Sequence, residues 1–192
     1  RQCRATVEGI GQVRVKVVAV SSLGLHCQFT DADAACRAAL AERLQSLRDA
    51  DAERVARARE VARDVSLAFE KAVDDRLIGA DDLFDNDYIA IPGTNPVQYR
   101  TRYLDVLERI LPPIQERWLT TDNRMTFCAA VDRNAYLPVH NRIYSHPQRP
   151  DDPAWNAANC RNRRIFDDRA GLSAARNVRP FLVQSYHRDM GN

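Results

Sequence analysis

The stretch DAERVARAREVARDVSLAFEKA, residues 51–72, decides how the rest of the chain is read. Val55, Ala58, Ala62, Val65, Phe69 and Ala72 recur at spacings of three and four, which places them on one helical face. Half of these positions are alanine, so the seam is thin, and Arg and Glu fill the other faces. Upstream, Leu40, Leu44 and Leu47 also share a face, and residues 30–77 contain neither Gly nor Pro. Thr30 or Asp31 is placed to cap the start, and Gly79 to end the helix. A helix of about 45 residues would be roughly 65 Å long. That exceeds a small domain. The expectation is therefore a break near Asp49-Ala50-Asp51, or a coiled-coil arm that pairs with a second copy of the chain.

Before this run, residues 1–30 read as strands. Gln12-Val13-Arg14-Val15-Lys16-Val17 alternates polar and apolar with the period of a half-buried strand. Ser21-Ser22-Leu23-Gly24 is a turn signal, and residues 25–29 read as the returning strand. Thirty residues are too few for an independent sheet core.

After the run, Asp81-Asp82-Leu83-Phe84-Asp85-Asn86-Asp87-Tyr88 is acidic but lacks the sixth-position glycine and twelfth-position Glu of a calcium loop, so calcium is not expected. A second helix is expected over 97–119, with Tyr99, Tyr103, Val106, Leu107, Ile110 and Ile114 inward and a kink or restart at Pro112-Pro113. Residues 125–131 and the segment following Asp132-Arg133-Asn134 read as short strands. Residues 159–175 read as one or two helices, and 181–186 as another strand. The fold class is α+β, in three parts: a β segment over 1–30, a long helical segment over 31–78 and an α/β-patterned domain over 79–192.

Composition narrows the chemistry. The 192 residues carry a formal net charge of +2, and no stretch approaches the apolar length of a membrane span. Of the 28 basic residues only Lys16 and Lys71 are lysine, and arginine suits bidentate recognition of carboxylate or phosphate. Five scattered cysteines with no C-x-x-C pair point away from disulfides and zinc and towards a reducing, cytoplasmic setting. A phosphate loop, a nucleophile elbow and a helical His pair are all missing, so no enzymatic activity is expected.

The recognition signal is stronger. Residues 161–188 hold seven arginines against Asp167 and Asp168, interleaved with amides and a phenol. Convergent guanidinium groups beside such groups suit a small anionic ligand. The low overall charge argues against nucleic acid. The candidate pocket residues are Tyr136, His140, Arg161, Arg164, Gln184, Tyr186 and Arg188. One other chemistry has candidate residues: a haem or redox sensor with His140 or Cys160 as axial ligand.

The segments Asp132-Arg133-Asn134-Ala135-Tyr136-Leu137-Pro138-Val139-His140-Asn141, Asn159-Cys160-Arg161-Asn162-Arg163-Arg164-Ile165-Phe166-Asp167-Asp168 and Arg179-Pro180-Phe181-Leu182-Val183-Gln184-Ser185-Tyr186-His187-Arg188-Asp189-Met190-Gly191 resemble a sensory module of bacterial methyl-accepting chemotaxis proteins. The likeness spans roughly residues 35–192. It implies a PAS- or Cache-like antiparallel sheet with flanking helices behind a long N-terminal helix, and a downstream chemoreceptor signalling domain as partner. Similar proteins carry Gly at the position of Ala135. The N-terminal strands are similar, more weakly, to a PilZ domain. That likeness implies a cyclic di-GMP-binding module or, because Arg1-Gln2-Cys3-Arg4 is one residue short of the family's arginine pair and Ala19 stands at its acidic or amide position, a degenerate structural remnant.

Overall fold

The computed structural model describes residues 2–21 and 24–185. The chain is α+β and divides into two compact units, Arg1–Arg54 and Val55–Asn192. The division falls inside a helix, where the composition of the sequence placed boundaries at 30/31 and 78/79.

In the first unit, β1 (Gln2–Val7), β2 (Gly11–Ser21) and β3 (Gly24–Asp31) form an antiparallel meander in the order β1-β2-β3. The alternation read from the sequence is the alternation of burial. Val13 and Val15 are buried, while Gln12, Arg14 and Lys16 are exposed. Val13 and Val15 pack with Cys36 over a small cluster that includes Ala5, Val7, Ile10 and Ala32. Helix α1 (Ala34–Asp74) follows. Its first turn is capped by Asp33, whose Oδ1 accepts the Cys36 amide at 2.7 Å. Thr30 and Asp31, the caps read from the sequence, belong to β3, and the Thr30 hydroxyl donates to the Arg14 carbonyl at 3.1 Å.

α1 runs without interruption through Asp49-Ala50-Asp51, over 41 residues. It ends in a Schellman motif. Arg76 takes a left-handed conformation at φ 58°, its amide reaches the Val73 carbonyl at 3.0 Å, and the Leu77 amide reaches Ala72 at 2.9 Å. Gly79, the stop read from the sequence, lies beyond the motif.

In the second unit, the last third of α1 lays Val65, Phe69, Ala72 and Val73 on a core of Tyr103, Val106, Leu107, Leu111, Tyr136 and Val139. The apolar seam read as a dimer face is used, in this part, by the chain's own core. Helix α2 (Leu104–Leu119) supplies the other side. Arg57 pairs with Asp122 at 2.5 Å, Trp118 Nε1 donates to Asp64 at 2.7 Å, and Arg117 also pairs with Asp64. Arg124 and then Arg57 hold the Asp122 carboxyl well below the usual range.

α2 starts at Leu104 rather than 97 because Tyr99–Arg100 is used as strand β5, paired with β4 (Ile89–Ala90). It passes through Pro112-Pro113 without breaking. Pro112 is half-buried and Pro113 exposed, so the carbonyls they leave unbonded lie on the outer side, where water can satisfy them. β6 (Tyr136–Leu137) pairs with β7 (Arg164–Ile165). Helices α3 (Pro153–Asn159) and α4 (Arg169–Ala175) flank β7, so the region read as helix over 159–175 is helical only at its ends.

Among the described residues, this unit's ladders are two residues long, far short of the expected antiparallel sheet. Residues 125–131 are irregular, with the Cys128 amide held by Asn141 Oδ1 at 2.7 Å in place of a ladder bond. Residues 181–185 are exposed coil rather than strand. No helix among the described residues is long and apolar enough to cross a membrane.

Candidate functional site

The 132–141 segment is organised by one carboxylate. Asp132 Oδ1 accepts the amides of Asn134 at 2.8 Å and Tyr136 at 2.9 Å, which bends the chain and puts Ala135 at φ 62°. Its Oδ2 accepts the Tyr103 hydroxyl at 3.0 Å and the Tyr88 hydroxyl. Asn134 Nδ2 donates to Tyr88 at 2.9 Å and to Asn86 at 3.1 Å. Burial, reinforced by Asp132, pushes the Tyr88 phenol up to about 12. Tyr103 and Tyr136 are pushed higher by burial, so all three remain neutral donors through the physiological range.

Tyr136 is fully buried. Its ring packs 5.3 Å from Tyr88 and 6.1 Å from Tyr103, and its hydroxyl donates to the Tyr99 carbonyl at 2.7 Å. Tyr136 therefore anchors the core, and its polar atom is used by backbone. His140 is also buried. Its ring lies between Phe127 at 5.4 Å and Tyr144 at 4.8 Å, and Nδ1 accepts the Asn141 amide at 2.7 Å. The second haem-ligand candidate, Cys160, has no exposed surface, and its Sγ faces the Pro147 carbonyl at 3.6 Å and Asn156 Oδ1 at 3.8 Å. Burial pushes this thiol up, which favours the protonated form over the thiolate a metal requires.

Arg161 and Arg164 are brought together. The Arg161 amide donates to the Tyr144 carbonyl at 2.7 Å, and Arg164 sits on β7 opposite Leu137. Between them, Arg163 adopts φ 60° and sends its side chain to Glu108, with Nε at 2.6 Å. The two neighbouring guanidinium groups converge instead on the end of α3. Both donate to the Ala157 carbonyl, Arg161 at 3.4 Å and Arg164 at 3.1 Å. Both also lie over the Phe166 ring, 4.8 and 4.9 Å from its centroid. Two like charges brought to one carbonyl, at a helix C-terminus and over an aromatic face, are of the kind that suits a bidentate anion. Gly171 keeps α4 tight against this platform, because a Cβ there would run into the Phe166 carbonyl.

The remaining candidates are elsewhere. Gln184 is exposed and donates to the Ala170 carbonyl at 3.1 Å. Tyr186 and Arg188 lie outside the described residues. Arg176 and Arg179 border an open depression of about 450 Å³ with Leu172, Ser173, Asn177 and Leu182. The five described candidates thus separate into a core tyrosine, a core histidine, an arginine pair and an exposed amide.

In the first unit, Arg1, Ser22 and Leu23 of the PilZ-like pattern lie outside the described residues. Arg4 stands opposite Arg14, whereas Ser21, hydrogen-bonded to His26 at 2.9 Å, is seven residues further along β2. At the rise of a strand that separation is about 20 Å.

Asp132, Tyr88, Tyr103 and Phe166 are not among the site residues read from the sequence. An Asp two residues before an Asn-containing turn is a signal for the first, since a short carboxylate captures the amides ahead of it. Nothing local marks Phe166 as a platform. No family model matches the chain, and no curated protein or solved structure matches it.

Proposed function

We propose that this chain is a non-catalytic signal-input region of the chemoreceptor type its motifs resemble, its second unit a diverged PAS- or Cache-like sensor that takes a small anion at Arg161 and Arg164. The observation that carries the reading is the convergence of those two guanidinium groups on one carbonyl and one ring. A carboxylate or phosphate oxygen pair matches guanidinium geometry better than a single peptide oxygen does, so a ligand would draw both side chains off Ala157.

The consequence travels through packed elements. Arg164 belongs to β7, whose partner β6 carries Tyr136. Tyr136 shares a core with Ala72, against which Phe69 is also packed, and both are residues of α1. A ligand that favours one packing of β6–β7 on this core shifts the population of α1 conformations by its differential affinity, about 1–3 kcal/mol in typical couplings.

Thermal-shift and titration-calorimetry measurements on the purified chain, with inorganic phosphate and a panel of small mono- and dicarboxylates, test this. At least one anion should raise the melting temperature, and Arg164→Ala should weaken its binding about tenfold or more. Arg179→Ala should leave it unchanged. Absence of any shift across the panel, or full affinity in Arg164→Ala, defeats the reading.

A further inference from the structure

Every residue from 41 to 50 of α1 is exposed, including Leu44 at 45% and Leu47 at 48%. With Leu40, half-buried, these leucines form a stripe at i, i+4 and i+7.

Charge is sorted about the stripe. At 100° per residue, Arg37, Arg43, Arg48 and Arg54 all fall within about 70° of its centre line, and Glu42, Asp49 and Glu53 fall on the opposite side. The acid in line with the leucines, Asp51, is paired with Arg54 at 3.0 Å. The rim of the apolar face is therefore basic, and its back is acidic.

A second copy of the same helix, parallel and in register, fits this badly. Arg43 would face Arg48 of the other copy twice over, and Asp51 would face Asp51 across the seam, each a like-charge contact. We propose that the Leu40–Leu44–Leu47 face is a docking surface for an amphipathic helix of a different protein, whose leucine stripe is bordered by Asp or Glu. Apolar burial supplies the adhesion, and the arginine rim selects the partner and its register. This inference rests on the first unit alone and stands apart from the anion reading.

The test uses the full chain and two fluorescent peptides of about four heptads, with Leu at a and d, and with either Glu or Lys at every e and g position. Like charges at e and g keep each peptide from pairing with itself. Fluorescence anisotropy should show the Glu peptide binding about tenfold or more tightly than the Lys peptide, with the preference shrinking at high salt. Leu44→Ser should remove binding of the Glu peptide. The double variant Arg43→Glu, Arg48→Glu should reverse the preference. It leaves the leucines intact, so it decides the matter even if Leu44→Ser disturbs the helix.

Equal binding of the two peptides, or binding of neither, overturns the proposal. So does sedimentation showing the unmodified chain as a dimer that Leu44→Ser turns into a monomer, because the occupant is then a second copy.

Discussion

Ala135 sits at φ 62°, a left-handed conformation in which a Cβ crowds the following carbonyl. The position is buried, and the turn around it is held by Asp132 through two amides and two phenols. The turn therefore tolerates a residue that local sterics disfavour. Ala135→Gly is expected to stabilise the chain by about 1 kcal/mol, because strain relief exceeds the extra backbone freedom of glycine in the unfolded state. Urea unfolding should show the midpoint move up with no change in slope; a lower midpoint would mean the alanine methyl contributes more packing than strain. The sequence places an alanine in this turn; the left-handed angle that makes glycine the better residue there is a property of the folded chain.

Elements, more than residues, departed from their sequence reading. α1 was legible because its period extends over many turns. Its stop was not, since a Schellman motif with arginine at the left-handed position carries none of the glycine signature. Arg76 is exposed there, and Arg76→Gly should therefore gain about 0.5–1 kcal/mol without altering the core, measured as a rise in thermal midpoint. No gain would show that the arginine side chain offsets its own backbone strain. The strand read over 125–131, and the described part, 181–185, of the one read over 181–186, departed for a related reason. A short apolar run states that a segment is worth burying, while its backbone partner is set by whatever lies alongside, here the side chain of Asn141 for Cys128.

At the scale of the whole chain, the two compact units are joined within one helix, and the middle of that helix has no buried residue. Local opening should follow this division. In hydrogen-exchange measurements the amides of residues 41–50 are expected to exchange well before those of 104–111, which carry the fully buried Leu104 and Leu111. Comparable protection in both would indicate that residues 41–50 are already covered in solution, and addition of a helix that docks there should slow their exchange selectively. What the sequence determined by itself, beyond its wealth of arginine, was periodic: the meander strands, the long helix and the apolar face of α2. These follow from patterns that repeat within a few residues. Only the tertiary structure decided which arginines act together. Arg161 and Arg164 meet because Arg163 turns aside in a left-handed conformation and because α3 and Phe166 present a carbonyl and a ring at the same place. Convergence of that kind depends on contacts between segments that no local pattern encodes.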